Sequence, residues 1–86
     1  MMLRIEKTLD GKKMIFRISG RLSAKHVEEL KAETAGTGVG TAMDLEYVTG
    51  VDLEGVRFLS DSERAGIDLL HCSQYIREWI NRERQS

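Results

Sequence analysis

The sequence predicts a mixed α/β domain, a four-stranded sheet and three helices in the order β-β-α-β-α-β-α, with the helices mainly on one face. Three observations predict it. Apolar and polar residues alternate over residues 3–8 and 13–19, the two-residue period of a strand. Apolar residues recur at helical spacing after Ser23, Asp52 and Ser73, each suited to start a helix. Proline is absent, so glycine marks the joints.

The elements follow in order. Leu3, Ile5 and Lys7 alternate with Arg4, Glu6 and Thr8 as a half-exposed first strand. Asp10-Gly11 signals a tight hairpin of the I′ kind, because both residues tolerate positive φ. Lys13 to Ser19 is a second strand with Met14, Phe16 and Ile18 on one face. Ser23 reads as an N-cap flanked by a Leu22–Val27 staple, and Ala24, Val27 and Leu30 form the inner stripe of a first helix. Residues 41–48 make a third strand, whose Ala42, Met43 and Leu45 suit cover by helices. Thr49-Gly50-Val51-Asp52 turns into a second helix that ends at Gly66, with Arg64 favourably placed in the last turn. Residues 67–71 are a fourth strand, and Ile76, Trp79 and Ile80 mark the stripe of a third helix after Ser73. The helices fall at about 23–34, 52–65 and 73–84. A hairpin followed by two right-handed crossovers gives a mixed sheet.

With 86 residues the chain is expected to form one domain, residues 1–86, around one modest core. Thirteen basic against fourteen acidic side chains leave a formal charge of −1, which argues against a general nucleic-acid or membrane-surface binder. No apolar run approaches the ~20 residues that span a bilayer, and the alternating N-terminus is unlike a signal peptide. A single cysteine, Cys72, excludes an internal disulfide and fits a reducing compartment, so the expected location is cytoplasmic.

Few residues offer chemistry. His71 and Cys72 are adjacent on a strand and point to opposite faces, so they do not readily share an ion. No metal and no cofactor are expected. Cys72 lacks a recognisable base partner, and no nucleophile–base set marks an enzyme. Arg77, Arg82 and Arg84 are interleaved with Glu78 and Glu83, which cancels the field a nucleic-acid helix needs. The glycine-rich run Gly36-Thr37-Gly38-Val39-Gly40 follows a helix and opens a strand, the reverse of a dinucleotide fingerprint, and reads as a flexible connector. Its use as a nucleotide or small-ligand sensor is the alternative function.

The segment Val51-Asp52-Leu53-Glu54-Gly55-Val56 says more. Asp52 stands where an N-cap belongs, and Glu54 falls in the first helical turn, where the helix dipole favours negative charge by ~0.3–1 kcal/mol. Gly55 fits a plain helix start badly, since glycine costs about 1 kcal/mol inside a helix. Its presence implies that something approaches the backbone closely.

The run Met43-Asp44-Leu45-Glu46-Tyr47-Val48-Thr49-Gly50-Val51-Asp52-Leu53-Glu54-Gly55-Val56 resembles the signature of STAS domains, the anti-sigma factor antagonist family. Ile67-Asp68-Leu69-Leu70 after Gly66 resembles that family's next strand, and Met14 to Gly20 with Arg21-Leu22-Ser23 its early segment. The resemblance implies a STAS-like fold and a non-catalytic regulatory module that docks a protein partner. The implied docking residues are Asp52, Leu53, Glu54 and Gly55. The partner is an anti-sigma factor of the kinase-like ATPase type or the ATPase of a transporter, and a homodimer stays open.

Two features depart from the family. Its regulatory members carry a phosphorylated serine or threonine just before the glycine, and here Glu54 holds that position. No hydroxyl occurs between Thr49 and Ser60, so this segment cannot be phospho-switched. A glutamate carries −1 where phosphoserine carries about −1.5 to −2, which makes Glu54 either a fixed phosphomimic or the mark of a lost switch. The link between the first helix and the third strand is also short for the family.

Overall fold

The computed structural model describes residues 3–36 and 40–85. Strands β1 (Arg4–Asp10) and β2 (Lys13–Leu22) form the hairpin, antiparallel from Arg4↔Ser19 to Asp10↔Lys13. Its loop is Gly11-Lys12, and only Gly11 has positive φ, at 64°. The turn is therefore of the II′ kind rather than the expected I′, which needs positive φ at both central residues. Parallel to β2 runs β3 (Thr41–Val51), and the short β4 (Asp68–Leu70) pairs parallel to it only at Ala42–Asp44. The sheet order is β1-β2-β3-β4.

Two strands outrun their expected ends, β2 past Ser19 and β3 past Val48. Register shifts between Arg17 and Ser19 and between Gly20 and Arg21 explain how. Each shift inserts an extra β3 residue, bending the pair without ending it, and Gly20 takes up a φ of 102° that a larger residue resists. Pairing thus continues to Leu22↔Val51, and the turn expected over 49–52 is strand up to Val51.

Helices α1 (Ala24–Thr34), α2 (Leu53–Arg64) and α3 (Gln74–Gln85) share one core with the sheet. Phe16 and Ile18 of β2 and Met43 and Leu45 of β3 pack with Val27 and Leu30, Val56 and Leu59, and Ile76 and Ile80 of the three helices. Fully burying each such side chain contributes about 1.5–3 kcal/mol. Alternation then directs Ile15, Arg17, Ala42 and Asp44 to the opposite face, which no described helix covers. Ala24, expected on the inner stripe of α1, is exposed. The stripe is Val27, Leu30 and Thr34, one turn later, and the Thr34 hydroxyl donates to the Leu30 carbonyl at 2.9 Å.

A bidentate pair fixes α3 to α2. Arg77 donates to Glu63 at 2.8 and 3.0 Å, and Arg84 adds a contact to Glu63 at 2.8 Å and one to Ser60 at 3.0 Å. The Arg77 bonds, then those of Arg84, hold the Glu63 carboxyl below its usual range against the opposing effect of burial. Among the described residues no helix is long and apolar enough to cross a membrane. Thr37, Gly38 and Val39, the middle of the glycine-rich connector, lie outside the described residues. Gly36 and Gly40 at its ends both have positive φ, 77° and 90°.

Candidate functional site at the start of the second helix

Where β3 ends, Asp52 takes an extended backbone (φ −106°) and α2 begins. Its Oδ1 accepts from the Gly55 N–H at 2.9 Å, the N-cap bond that the sequence predicts. Its Oδ2 accepts from the Ala24 N–H at 2.9 Å, the first residue of α1. One carboxylate therefore caps two helices. Ser23, expected to cap α1, makes no side-chain cap bond, and its hydroxyl instead meets His26 Nδ1 at 3.2 Å. The Gly55 N–H above all, then the Ala24 N–H and the nearby Arg21 charge, hold the Asp52 carboxyl below its ordinary value of 3.8.

Gly55 is buried, and the close backbone approach that its presence implies comes from inside the molecule. A Cβ built there would stand 2.8 Å from the Leu22 carbonyl oxygen and 3.1 Å from its side chain. The same carbonyl accepts from the Asp52 N–H at 3.2 Å. Leu22, Asp52 and Gly55 thus form one joint between the end of β2 and the starts of α1 and α2. The glycine serves that joint, and of the four docking residues that the resemblance implies it is the one that lies inside the molecule.

Leu53 and Glu54 project outward from this joint. Leu53 is 38% exposed, one of few large apolar side chains in water among the described residues. Glu54 is exposed and meets Arg57 at 3.4 Å, while Arg57 also reaches Glu83 of α3 at 3.4 Å. Leu53 and Glu54 thus stand exposed on a joint whose backbone is held by the Asp52 carboxylate. The four residues named from the sequence therefore divide by location, with Gly55 inside, Asp52 at the joint, and Leu53 and Glu54 outside.

Sequence reasoning missed a second cluster, on the helix-free face of the sheet. Asp44 of β3 is 6% exposed, and its Oδ1 accepts from the Glu46 N–H at 3.0 Å. His71, in the left-handed region at φ 54° just after β4, places Nδ1 at 3.0 Å from the same oxygen. Arg17 Nε lies 3.8 Å from Asp44 Oδ2, and the Arg17 guanidinium stands 5.7 Å from the Tyr47 ring. Burial pushes the Asp44 carboxyl up, but the Glu46 N–H, His71 and Arg17 together outweigh it and hold it low. The Asp44 bond, chiefly, raises His71 above 6.5. A signal was present in the sequence, since an aspartate between Met43 and Leu45 in a buried strand requires a polar partner. Cys72, next to His71, is half-buried, and burial pushes its thiol up, away from the reactive thiolate.

No family model and no curated protein matches the chain. Solved structures do. The anti-sigma factor antagonist SpoIIAA in its unphosphorylated form aligns over 93% of this chain and 82% of its own, with 18% identity and a TM-score of 0.68. The Bacillus cell fate determinant SpoIIAA in its phosphorylated form aligns over 95% and 83%, with 17% identity and a TM-score of 0.68. The antisigma-factor antagonist STAS domain from Rhodobacter sphaeroides aligns over 80% and 82%, with 21% identity and a TM-score of 0.52. Identities this low speak for architecture: this chain has the SpoIIAA-like fold of the STAS domains.

Proposed function

We propose that the chain is a regulatory docking module that presents Leu53 and Glu54, on the Asp52 joint, to a partner protein. The supporting observation is the contrast at that site. A joint built on one doubly capping carboxylate fixes the backbone, while an apolar and an anionic side chain stand outward beside each other. A small exposed anchor on a preorganised backbone loses little entropy on binding. The fold supports the same reading, because the solved relatives include anti-sigma factor antagonists. Glu54 supplies permanent negative charge where regulatory STAS domains carry a phosphorylated hydroxyl. The partner is an ATPase of the anti-sigma or transporter kind, met in the cytoplasm.

The test is a titration of a purified ATPase of either kind with wild type and Leu53→Ser. Leu53 is exposed enough for the serine to leave the melt nearly unchanged. Loss of the apolar anchor is expected to cost more than about 1 kcal/mol of binding. Equal affinity for both forms rejects Leu53 as an anchor. The sensor alternative makes a different prediction, because a nucleotide at 100 times its dissociation constant would add about 2.7 kcal/mol to stability. On the docking reading, ATP, GTP and their diphosphates leave the melting temperature unchanged.

A further inference from the structure

We propose that Asp44, Glu46 and His71 form a binding site for a first-row divalent metal ion, with Zn2+ as its probe, on the helix-free face of the sheet. The metal-binding atoms of the three residues lie within 4.8 Å of one another. They form a mixed set, one imidazole and two carboxylates, which suits Zn2+ and its neighbours better than the all-oxygen sets favoured by Ca2+ and Mg2+. Three protein ligands leave a fourth position of a tetrahedral ion open to solvent or to a partner's side chain.

The fold sets the ligands on independent supports. Asp44 and Glu46 are two residues apart on β3, where the register shift that follows Asp44 breaks the strict alternation, and the Glu46 N–H donates to Asp44 Oδ1. Asp44 pairs with Leu70, the last residue of β4, and His71 is the next residue in the chain. The site therefore lies beside the carboxyl end of β4 and against the N-terminal half of β3. The register shift in the β2–β3 pairing beyond Asp44 bends the two strands and brings Tyr47 opposite Ser19. Asp44 is buried, and its Oδ1 lies 3.0 Å from His71 Nδ1, a hydrogen-bond distance that opens to about 3.4 Å when the two atoms share a tetrahedral ion. The ion would take the place of the proton between these two atoms. Glu46 is exposed, and its side chain is free to close on the ion.

Arg17 opposes the ion. Its guanidinium lies 3.8 Å from Asp44 and supplies positive charge that an incoming cation must meet. That opposition gives the site a signature that an unrelated surface site would not show.

The experiment is calorimetric titration of the untagged full chain with Zn2+, alongside NMR of the His71 ring protons. Wild type is expected to bind one equivalent and to shift the His71 resonances. His71→Ala and Glu46→Gln, both at exposed positions, should each weaken binding by about 10- to 100-fold. Arg17→Gln should tighten it severalfold. Absence of binding by wild type overturns the site, as does an affinity indifferent to His71→Ala. Loss of binding in Cys72→Ser with retention in His71→Ala would place the ion elsewhere and overturn it equally. Unchanged affinity in Arg17→Gln contradicts the position beside Asp44.

Discussion

Two aspartates, Asp44 and Asp52, stand at opposite ends of the same stretch of chain and do different work. Both are held ionised by hydrogen-bond donors. Those of Asp52 are the N–H groups of Gly55 and Ala24, which do not titrate near neutral pH. Those of Asp44 include the His71 imidazole, which does. The difference teaches that a buried or capping carboxylate is a fixed joint when its donors are backbone, and a responsive one when a donor titrates. The α2 start is thus held by backbone donors, whereas the open sheet face carries a donor that titrates.

The largest expected effect breaks the joint. Asp52→Ala removes caps from two helices, about 1 kcal/mol each, so chemical denaturation should show a loss of about 2 kcal/mol. The matching control is Ser23→Ala, which should cost under about 0.5 kcal/mol because Ser23 makes no cap bond. If Ser23→Ala costs as much as Asp52→Ala, the double cap is wrong. Gly55→Ala comes next. The added methyl gains about 1 kcal/mol of helix propensity but meets the Leu22 carbonyl at 2.8 Å, a backbone atom that moves only with its strand. Overpacking costs about 1–3 kcal/mol, so a net loss of about 1–2 kcal/mol is expected, and a net gain would show that the joint is loose.

Dependence on pH sharpens the same comparison. Asp52 has a lowered folded value, so its contribution is present above its unfolded pKa of about 3.8 and is lost as pH falls through the folded value. Asp52→Ala should flatten this acid limb. His71 has a raised folded value, so its contribution is full below 6.5 and is lost as pH rises through the folded value. In chelator-treated protein, the slope above pH 6.5 should therefore vanish in His71→Ala, with Asp44, Glu46 and Arg17 left in place. A slope that persists in that variant would assign it to another group.

The order of elements was legible because hydrophobic period and helix starts are local. Asp52 as an N-cap was legible for the same reason, and its second role was not, since Ala24 lies 28 residues away in sequence. Gly55 was correctly singled out as a place of close approach, but sequence could not say that Leu22 is what approaches. The extension of β2 and β3 depends on register shifts between two strands, which no single segment encodes. The link between Asp44 and His71 escaped for a comparable reason, because it joins residues 27 apart across neighbouring strands.

Recognition of a partner by the α2 start is tested most directly by the smallest change there, Glu54→Gln. Removing this exposed charge should cost less than about 1 kcal/mol of folding stability, the value of a helix-dipole contact. A charge-assisted contact with a partner is worth about 1.5–3 kcal/mol, so the affinity of a purified ATPase partner should fall by about ten- to more than a hundredfold. The measurement is that affinity, read beside a melt of the same two proteins. A large loss of binding with a nearly unchanged melt is the predicted result. Unchanged binding by Glu54→Gln would contradict a recognition role for the carboxylate and leave Glu54 as a residue that only starts a helix.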